Sequence, residues 1–361
     1  MKIGILTFVN TLNYGAVLQA YALQEKIKDF GCEAEIIQYT NEAILNKEKG
    51  NSLKSMINPK KLFRKLIMGS GMKRKEKAFN QYEKEYIISG DNFDGNNIIE
   101  INKNYDKFIT GSDQVWNMYI TENDWHFYLD FVDSSDKKIS YAPSFGNVEF
   151  PVECKEKAGI LLNDFSKLSV REASGQKLIK ELTGREATIV VDPTLLLTKQ
   201  EWESKIKFTP KLKHYILVYF PHNKQLVFDF VEKLKLKTGL PVVYLSISPR
   251  KQKGTQTIYD TSPDEFLGWI KNADYVVTGS FHGTAFSINF EKQFFYEPLS
   301  QNGVEGRIDN IVRITGTQNR CIVDAKFDDI IDYSSVRIKL EKLRNESTIW
   351  LRNSLDIDSL N

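Results

Sequence analysis

The chemistry of this chain is most concentrated in Ser280-Phe-His-Gly-Thr284, directly after the run Tyr275-Val-Val-Thr278. That run is β-branched and aromatic and reads as a buried strand. Gly279-Ser280 breaks it, and Ala285, Ile288 and Phe290 resume with helical spacing. A parallel strand turning tightly into a helix aims its carboxyl end and the helix's unbonded N–H groups at one spot, which suits an anionic ligand. His282 sits in that turn among small and hydroxyl residues, and it is one of only four histidines in the chain. A histidine can give or take a proton near neutral pH. A lone histidine is more often a cap or a core residue, but the strand-end position favours a catalytic one here. Ser280, Gly283 and Thr284 are placed to meet the same ligand.

Other strand-like pieces end in similar fashion. Asp106–Thr110 runs into Gly111-Ser112-Asp113-Gln114-Val-Trp116-Asn117, and Lys138–Tyr141 into Ala142-Pro143-Ser144-Phe145-Gly146. Leu168–Val170 runs into Arg171-Glu172, and Thr188–Val191 into Asp192-Pro193-Thr194. Together they build a crevice along one sheet edge, in which Asp113 and Arg171 are the best-placed charged groups. Asp192-Pro193 reads as a turn that carries the chain out of the domain.

The elements that must position these groups alternate between strand and helix. Ile3–Phe8 is a strand, and Val17, Ala20, Leu23, Ile27 and Phe30 mark a helix that Gly31 stops. Ala34–Tyr39 is the next strand, so the chain opens as a βαβ unit with parallel pairing. Asn13, Tyr14 and Gly15 stand at that helix's start, where a capping turn and a ligand contact are both open readings. Farther on, His214–Phe220, Val242–Ile247 and Phe294–Tyr296 are strands. Helices are expected over Gln225–Lys237, from the capping box Ser262-Pro-Asp-Glu265 to about Asn272, and over Arg307–Ile314. Val336, Leu340, Leu343 and Trp350 form the stripe of a last amphipathic helix. The fold class is therefore α/β, with two Rossmann-like domains, 1–198 and 199–361. The expected arrangement is GT-B-like, with the active cleft between the domains and a C-terminal helix.

Composition narrows the function. The 361 residues are 41% hydrophobic and 27% charged, ordinary globular values. Forty-nine basic side chains nearly cancel forty-seven acidic ones, which gives no support to a nucleic-acid role. Cys32, Cys154 and Cys321 lie far apart and are odd in number, which suits a reducing cytoplasm. Neither the histidines nor the carboxylates show a metal-ligand spacing, so metal-independent chemistry is expected. Met1–Phe8 is too short for a signal peptide, and no segment approaches the roughly 18 apolar residues of a membrane span. One anomaly remains: from Lys47 to Glu85 twelve Lys/Arg face four Glu, a net +8. Within it Asn58-Pro59 starts a helix with Leu62, Phe63, Leu66 and Ile67 on one face, ended by Gly69 and Gly71. That helix can lie on an anionic membrane surface or pack on its own domain.

Six stretches in fixed order carry a family resemblance. They are Lys2–Phe8 with Asn13-Tyr-Gly-Ala-Val-Leu-Gln19, Thr110–Asn117, Ser169-Val-Arg-Glu172, Val191-Asp-Pro-Thr-Leu-Leu196, Ser280–Thr284 and Gly306-Arg307-Ile308. Together they resemble the polysaccharide pyruvyl transferase family over residues 1 to 315. The resemblance implies a GT-B-like fold and transfer of a pyruvyl group from phosphoenolpyruvate to a sugar. The acceptor would belong to a cell-surface polysaccharide or its polyprenyl-linked precursor, and the product would be a pyruvate ketal. No cofactor is implied beyond the donor substrate. By this resemblance His282 is catalytic; the chemistry it would serve makes Asp113 the expected base, puts Arg171, Ser280, Gly283, Thr284 and Arg307 at the donor, and puts Asn13, Tyr14, Gly15, Gly111 and Ser112 at the acceptor. Members carry arginine where this chain has Ser280, so either Arg171 and Arg307 supply the cations or this branch uses a different donor. The expected location is the cytoplasm, with peripheral contact at the inner membrane face. A nucleotide-sugar glycosyltransferase and a non-catalytic glycan-binding relative are the alternatives.

Overall fold

The computed structural model describes residues 1–8, 10–41, 59–95, 97–146, 149–298 and 306–357, with backbone only for 59–70. The chain forms two compact units. Unit 1 takes residues 1–51, 83–197 and 341–361, and unit 2 takes residues 52–82 and 198–340. Two segments thus leave the contiguous spans 1–198 and 199–361: residues 52–82 join the second unit, and the chain's last 21 residues join the first.

Unit 1 is built on a five-stranded parallel sheet. Its strands are β1 (Lys2–Leu6), β2 (Glu33–Tyr39), β3 (Ser89–Phe93), β4 (Lys107–Thr110) and β5 (Lys138–Ser140), in the order β3-β2-β1-β4-β5. The register sets Ile5 beside Ile36 and Ile109, all fully buried, as expected for strands covered on both faces. Helix α1 (Tyr14–Asp29) makes the first crossover. Asn13 caps its start, and Gly31, at φ +81°, follows its end. A short parallel pair, β6 (Ser169–Val170) with β7 (Thr188–Ile189), flanks the sheet through a bridge between Ile139 and Lys167. Trp116 is the anchor of the core beyond β4: it stacks on Tyr128 and packs against Phe145 and Phe165.

Helix α2 (Pro59–Tyr86) starts at the expected proline but runs through Gly69 and Gly71. A glycine inside a helix costs about 1 kcal/mol relative to alanine, so it needs a reason to be there. At Gly71 the reason is close approach, because a Cβ there would lie 2.1 Å from the ring of Tyr259. Phe79 and Tyr82 are buried beyond it and carry the helix onward. The apolar stripe at Leu62, Phe63, Leu66 and Ile67 lies outside the described side chains, as does the stretch from Lys47 to Asn58.

Unit 2 repeats the topology of unit 1. Strands β8 (Ile216–Tyr219), β9 (Val242–Leu245), β10 (Gln256–Ile258), β11 (Tyr275–Thr278) and β12 (Gln293–Tyr296) are all parallel, in the order β10-β9-β8-β11-β12. The register puts Val277 beside Val218 and Phe295 in the sheet centre. The crossover helices include α3 (Lys224–Thr238), α4 (Pro263–Asn272) and α5 (Phe281–Asn289). Helix α6 (Arg307–Thr315) packs on α5. The capping box at Ser262 forms as expected: the Glu265 N–H donates to Ser262 Oγ, and the Ser262 N–H to Glu265 Oε2. Helix α7 (Tyr333–Ser354) closes the fold, with Val336, Leu340 and Leu351 buried.

In each unit the strand order reverses beside the first strand, between β1 and β4 and again between β8 and β11. Open parallel α/β sheets bind ligands outside the carboxyl ends of the strands at such a switch point.

Candidate active site

The switch point of unit 1 gathers most of the sequence motifs into one buried network. Arg171, just after β6, directs Nη1 to Asp192 Oδ2 at 2.7 Å, Nη2 to Asp113 Oδ1 at 3.4 Å and Nε to Glu172 at 3.4 Å. Its side chain is 2% exposed. Burial alone would lower its pKa, but Asp192, Glu172 and Asp113 outweigh burial and hold the guanidinium above its ordinary value. Ser112 is equally committed. Its Oγ donates to Ala142 O and to Asp192 Oδ2, and its N–H donates to Gln19 Oε1. Gln19 in turn donates to Thr7 Oγ1, and Thr7 donates to the Ser112 carbonyl. Gly111 lies at φ +113°, where a Cβ would sit 2.2 Å from Tyr141 O.

This geometry redistributes the expected roles. Arg171 faces three carboxylates inside the unit, so an anionic donor brought to it would meet a surplus of negative charge. Its observed contacts tie the ends of the strands together. Asp113 contributes to the same network, at φ +66° and 7% side-chain exposure, which sets it apart from a base that meets an acceptor hydroxyl. Of the five residues expected at the acceptor, Tyr14, Gly15, Gly111 and Ser112 are buried and only Asn13 is exposed. Asn13 accepts the Gly15 N–H at 3.0 Å, the capping reading of that turn. Asp192 caps the turn Pro193–Leu195, just before the chain passes from unit 1 to unit 2 after Leu197, and it is also a hub: Arg171, Ser112 and the Thr194 N–H and hydroxyl all converge on its carboxylate.

A second cluster stands at the same edge. Asp124 accepts from Tyr39 and Asn41, each at 2.7 Å, and its Oδ1 lies 2.7 Å from His126 Nδ1. Asp124 raises the pKa of His126 against the opposing effect of burial. Burial pushes Asp124 up, but its bonds to His126 and Tyr39 outweigh that and leave it lowered.

At the switch point of unit 2 the opening motif forms as its spacing predicts. Ser280 caps α5: its Oγ accepts the Gly283 N–H, and its carbonyl accepts the Thr284 hydroxyl and N–H. Gly283 is needed for closeness, because a Cβ would lie 2.5 Å from Thr278 Oγ1. His282 occupies the first turn of α5 at 6% exposure. Arg307 is half-buried in the first turn of α6, whose opening N–H at Gly306 donates to Asp309 at 2.9 Å.

Two residues of this edge carry no sequence signal. Glu297, at the end of β12 and 2% exposed, accepts the N–H groups of His222 at 2.7 Å and Asn223 at 2.5 Å. His222 follows β8 and places Nε2 3.1 Å from the Gly279 carbonyl. Each is isolated among loop residues in the sequence, and only the parallel register brings β8, β11 and β12 to one edge.

Among the described residues, no group of three or more His, Cys, Asp and Glu could hold a metal, and no helix is long and apolar enough to cross a membrane. The fold is shared with solved structures at very low identity. A UDP-GlcNAc 2-epimerase from Methanocaldococcus jannaschii matches with TM-score 0.51 and 11% identity over 96% of this chain and 93% of that one. A structure from Listeria monocytogenes described as a UDP-N-acetylglucosamine 2-epimerase matches with TM-score 0.52 and 8% identity over 96% and 90%. These likenesses show the expected GT-B-like α/β fold of two Rossmann-like domains with a C-terminal helix. No curated protein matches the sequence. The family model described as polysaccharide pyruvyl transferase matches residues 13–297, from the cap of α1 to the buried glutamate after β12, and the chain belongs to that family.

Proposed function

We propose that the protein transfers a pyruvyl group from phosphoenolpyruvate to two hydroxyls of a sugar, forming a pyruvate ketal. One observation carries the reading: in a chain of this family, His282 stands in the first turn of α5 at the switch point of unit 2. The donor is a carboxylate and a phosphate on one enol carbon. The positive end of the α5 dipole suits the phosphate, and Arg307 is the cation assigned to the donor in place of Arg171.

The reaction needs one proton delivered and two removed. His282 gives a proton to the enol methylene, which becomes the methyl group, and positive charge develops on the adjacent carbon. One sugar hydroxyl attacks that carbon and loses its proton. The C–O bond to phosphate breaks, and the second hydroxyl closes the ketal and loses its own proton. The products are the ketal and hydrogen phosphate, with one hydroxyl proton leaving on the phosphate and the other restoring His282. A positioned acid contributes roughly 10²–10⁴ in rate. The acceptor is a sugar of a cell-surface polysaccharide or its polyprenyl-linked precursor, met by the protein at the inner membrane face.

The test incubates the protein with phosphoenolpyruvate and a panel of free and polyprenyl-linked sugars, following acceptor mass and released phosphate. The expected result is an acceptor heavier by one ketal with one phosphate freed. Transfer from a nucleotide sugar in a parallel panel, with none from phosphoenolpyruvate, would replace this reading with glycosyl transfer. Absence of turnover with either donor class would leave a binding protein.

A further inference from the structure

We propose that His126, held by Asp124, is the base that takes the first acceptor-hydroxyl proton, with Nε2 as the accepting atom. The proposal deepens the pyruvyl-transfer reading above and rests on it. That reaction removes a proton from each of two hydroxyls, and Asp113 is tied into the Arg171 network. The short turn Trp125–Tyr128 is pinned at the carboxyl edge of the unit 1 sheet. Its Phe127 carbonyl accepts Thr110 Oγ1, at the end of β4, at 2.7 Å and Trp116 Nε1 at 3.0 Å. Asn41, just past β2, donates to Thr121 O and to Asp124 Oδ2.

The imidazole is oriented by a carboxylate that is itself fully engaged. Asp124 Oδ2 accepts from Tyr39 and Asn41, and Oδ1 accepts the His126 N–H at 3.0 Å. That N–H completes the cap of the turn, and any residue at 126 would supply it, so the cap does not need the ring. Oδ1 also lies 2.7 Å from Nδ1, and a carboxylate only accepts, so Nδ1 carries the hydrogen. Nε2 is then the basic nitrogen, and it meets no hydrogen-bonding group among the described residues. The side chain is 25% exposed. Gly95, just past β3, faces this corner of the ring without a side chain; a Cβ there would lie 3.4 Å from Cε1 and 3.9 Å from Nε2. Asp124 raises the pKa of His126, burial opposes it, Asp130 adds to it, and Lys157 on the helix Lys155–Asn163 works against it. Tyr39, pushed far up by burial and by Asp124, stays a neutral donor. In the reaction the hydroxyl oxygen bonds the carbon that bears the phosphate while its hydrogen passes to Nε2, and Asp124 stabilises the imidazolium that forms. The imidazolium returns that proton to water, from which the released phosphate takes one.

The test uses the acceptor that the panel above identifies and reads kcat/KM for it as a function of pH. In His126→Asn the amide nitrogen replaces Nδ1 and keeps a donor for Asp124, while Nε2 is lost. The expected result is wild-type melting and phosphoenolpyruvate affinity, with kcat/KM lower by at least about a hundredfold. Unchanged kcat/KM would overturn the proposal and leave His126 a packing residue. In wild type kcat/KM rises with pH through the His126 pKa, which ¹⁵N-histidine resonances report separately. Asp124→Asn removes the anion that raises that pKa, so the resonance titration and the kinetic rise move to lower pH together. A kinetic rise that stays in place overturns the proposal. If only a nucleotide sugar donates, and His126→Asn loses the same hundredfold, the donor reading falls and the base stands. If neither donor class turns over, both fall. A measurement without any variant guards against misfolding: in labelled wild type, acceptor must shift the Nε2 resonance of His126, and an unmoved resonance overturns the proposal.

Discussion

Arg171 and His282 carry one sequence signal, a titratable residue at a strand end, into opposite expectations. A cation enclosed by three carboxylates within 3.4 Å stabilises the strand ends that supply them, and it has no surplus charge for a ligand. Removing one member of a buried ionic group strands the others, at a cost of about 3–5 kcal/mol. Arg171→Ala is therefore expected to lose that much stability by urea denaturation. A variant that folds with wild-type stability but binds donor more than tenfold weaker would return Arg171 to the donor site. His282 carries the opposite expectation. His282→Asn keeps the helix turn, melts like wild type and loses at least about a hundredfold in turnover. Unchanged turnover would remove it from the chemistry. Asp124 and His126 make a third test, through pH. His126 is raised from 6.5 when folded, so its contribution is complete below that value and fades as pH rises through the folded value. Asp124 is lowered from 3.8, so its contribution is complete above that value and fades as pH falls through the folded one. The melting temperature of Asp124→Asn should lie furthest below wild type between those limits and approach it as His126 deprotonates. A constant gap across alkaline pH would show that the pair does not act through charge.

At the scale of elements, close approach decides several positions where the backbone is pinned. Gly111→Ala combines a left-handed φ with a Cβ 2.2 Å from the Tyr141 carbonyl, so it should cost about 2 kcal/mol or more. Wild-type stability in that variant would mean that the β4 and β5 ends can part without loss. The strands and the turn at Ser280 were legible in the sequence because β-branched runs, a cap and small residues agree on them. The capping box at Ser262 was legible for the same reason. Helix α2 was misjudged at its end, since a glycine that admits the Tyr259 ring reads in sequence like a glycine that stops a helix. Strand β3, Ser-Gly-Asp-Asn-Phe, has no apolar alternation, and its pairing with β2 gives it its form. The partners of Arg171 come from positions 58 residues before it and 21 after, so the sequence exposes the charges but not their pairing. His222 and Glu297 were illegible because their meaning is a register between strands far apart in the chain.

At the scale of the molecule, charge is unevenly distributed along the chain. Residues 47–85 carry +8, and the remaining residues therefore carry −6 against the overall +2. The later part of this basic stretch is committed within unit 2. Arg74 pairs with Asp260 at 2.7 Å, and the Lys75 ammonium lies 5.4 Å from the Phe79 ring centre with the residue 5% exposed. Lys60, Lys61, Arg64 and Lys65, interleaved with Leu62, Phe63, Leu66 and Ile67, are the cations to test for contact with a membrane surface. Each lysine or arginine near an anionic leaflet contributes about 1 kcal/mol, so four engaged together would be enough for salt-sensitive association without insertion. Co-sedimentation is expected with anionic vesicles at low salt, with loss at high salt and little binding to neutral vesicles. Changing the four cations to glutamine should abolish binding while turnover on a soluble acceptor persists. Equal loss of soluble-acceptor turnover would place the segment in the catalytic machinery. Equal, negligible sedimentation with both vesicle types would make all of α2 a helix packed on its own unit.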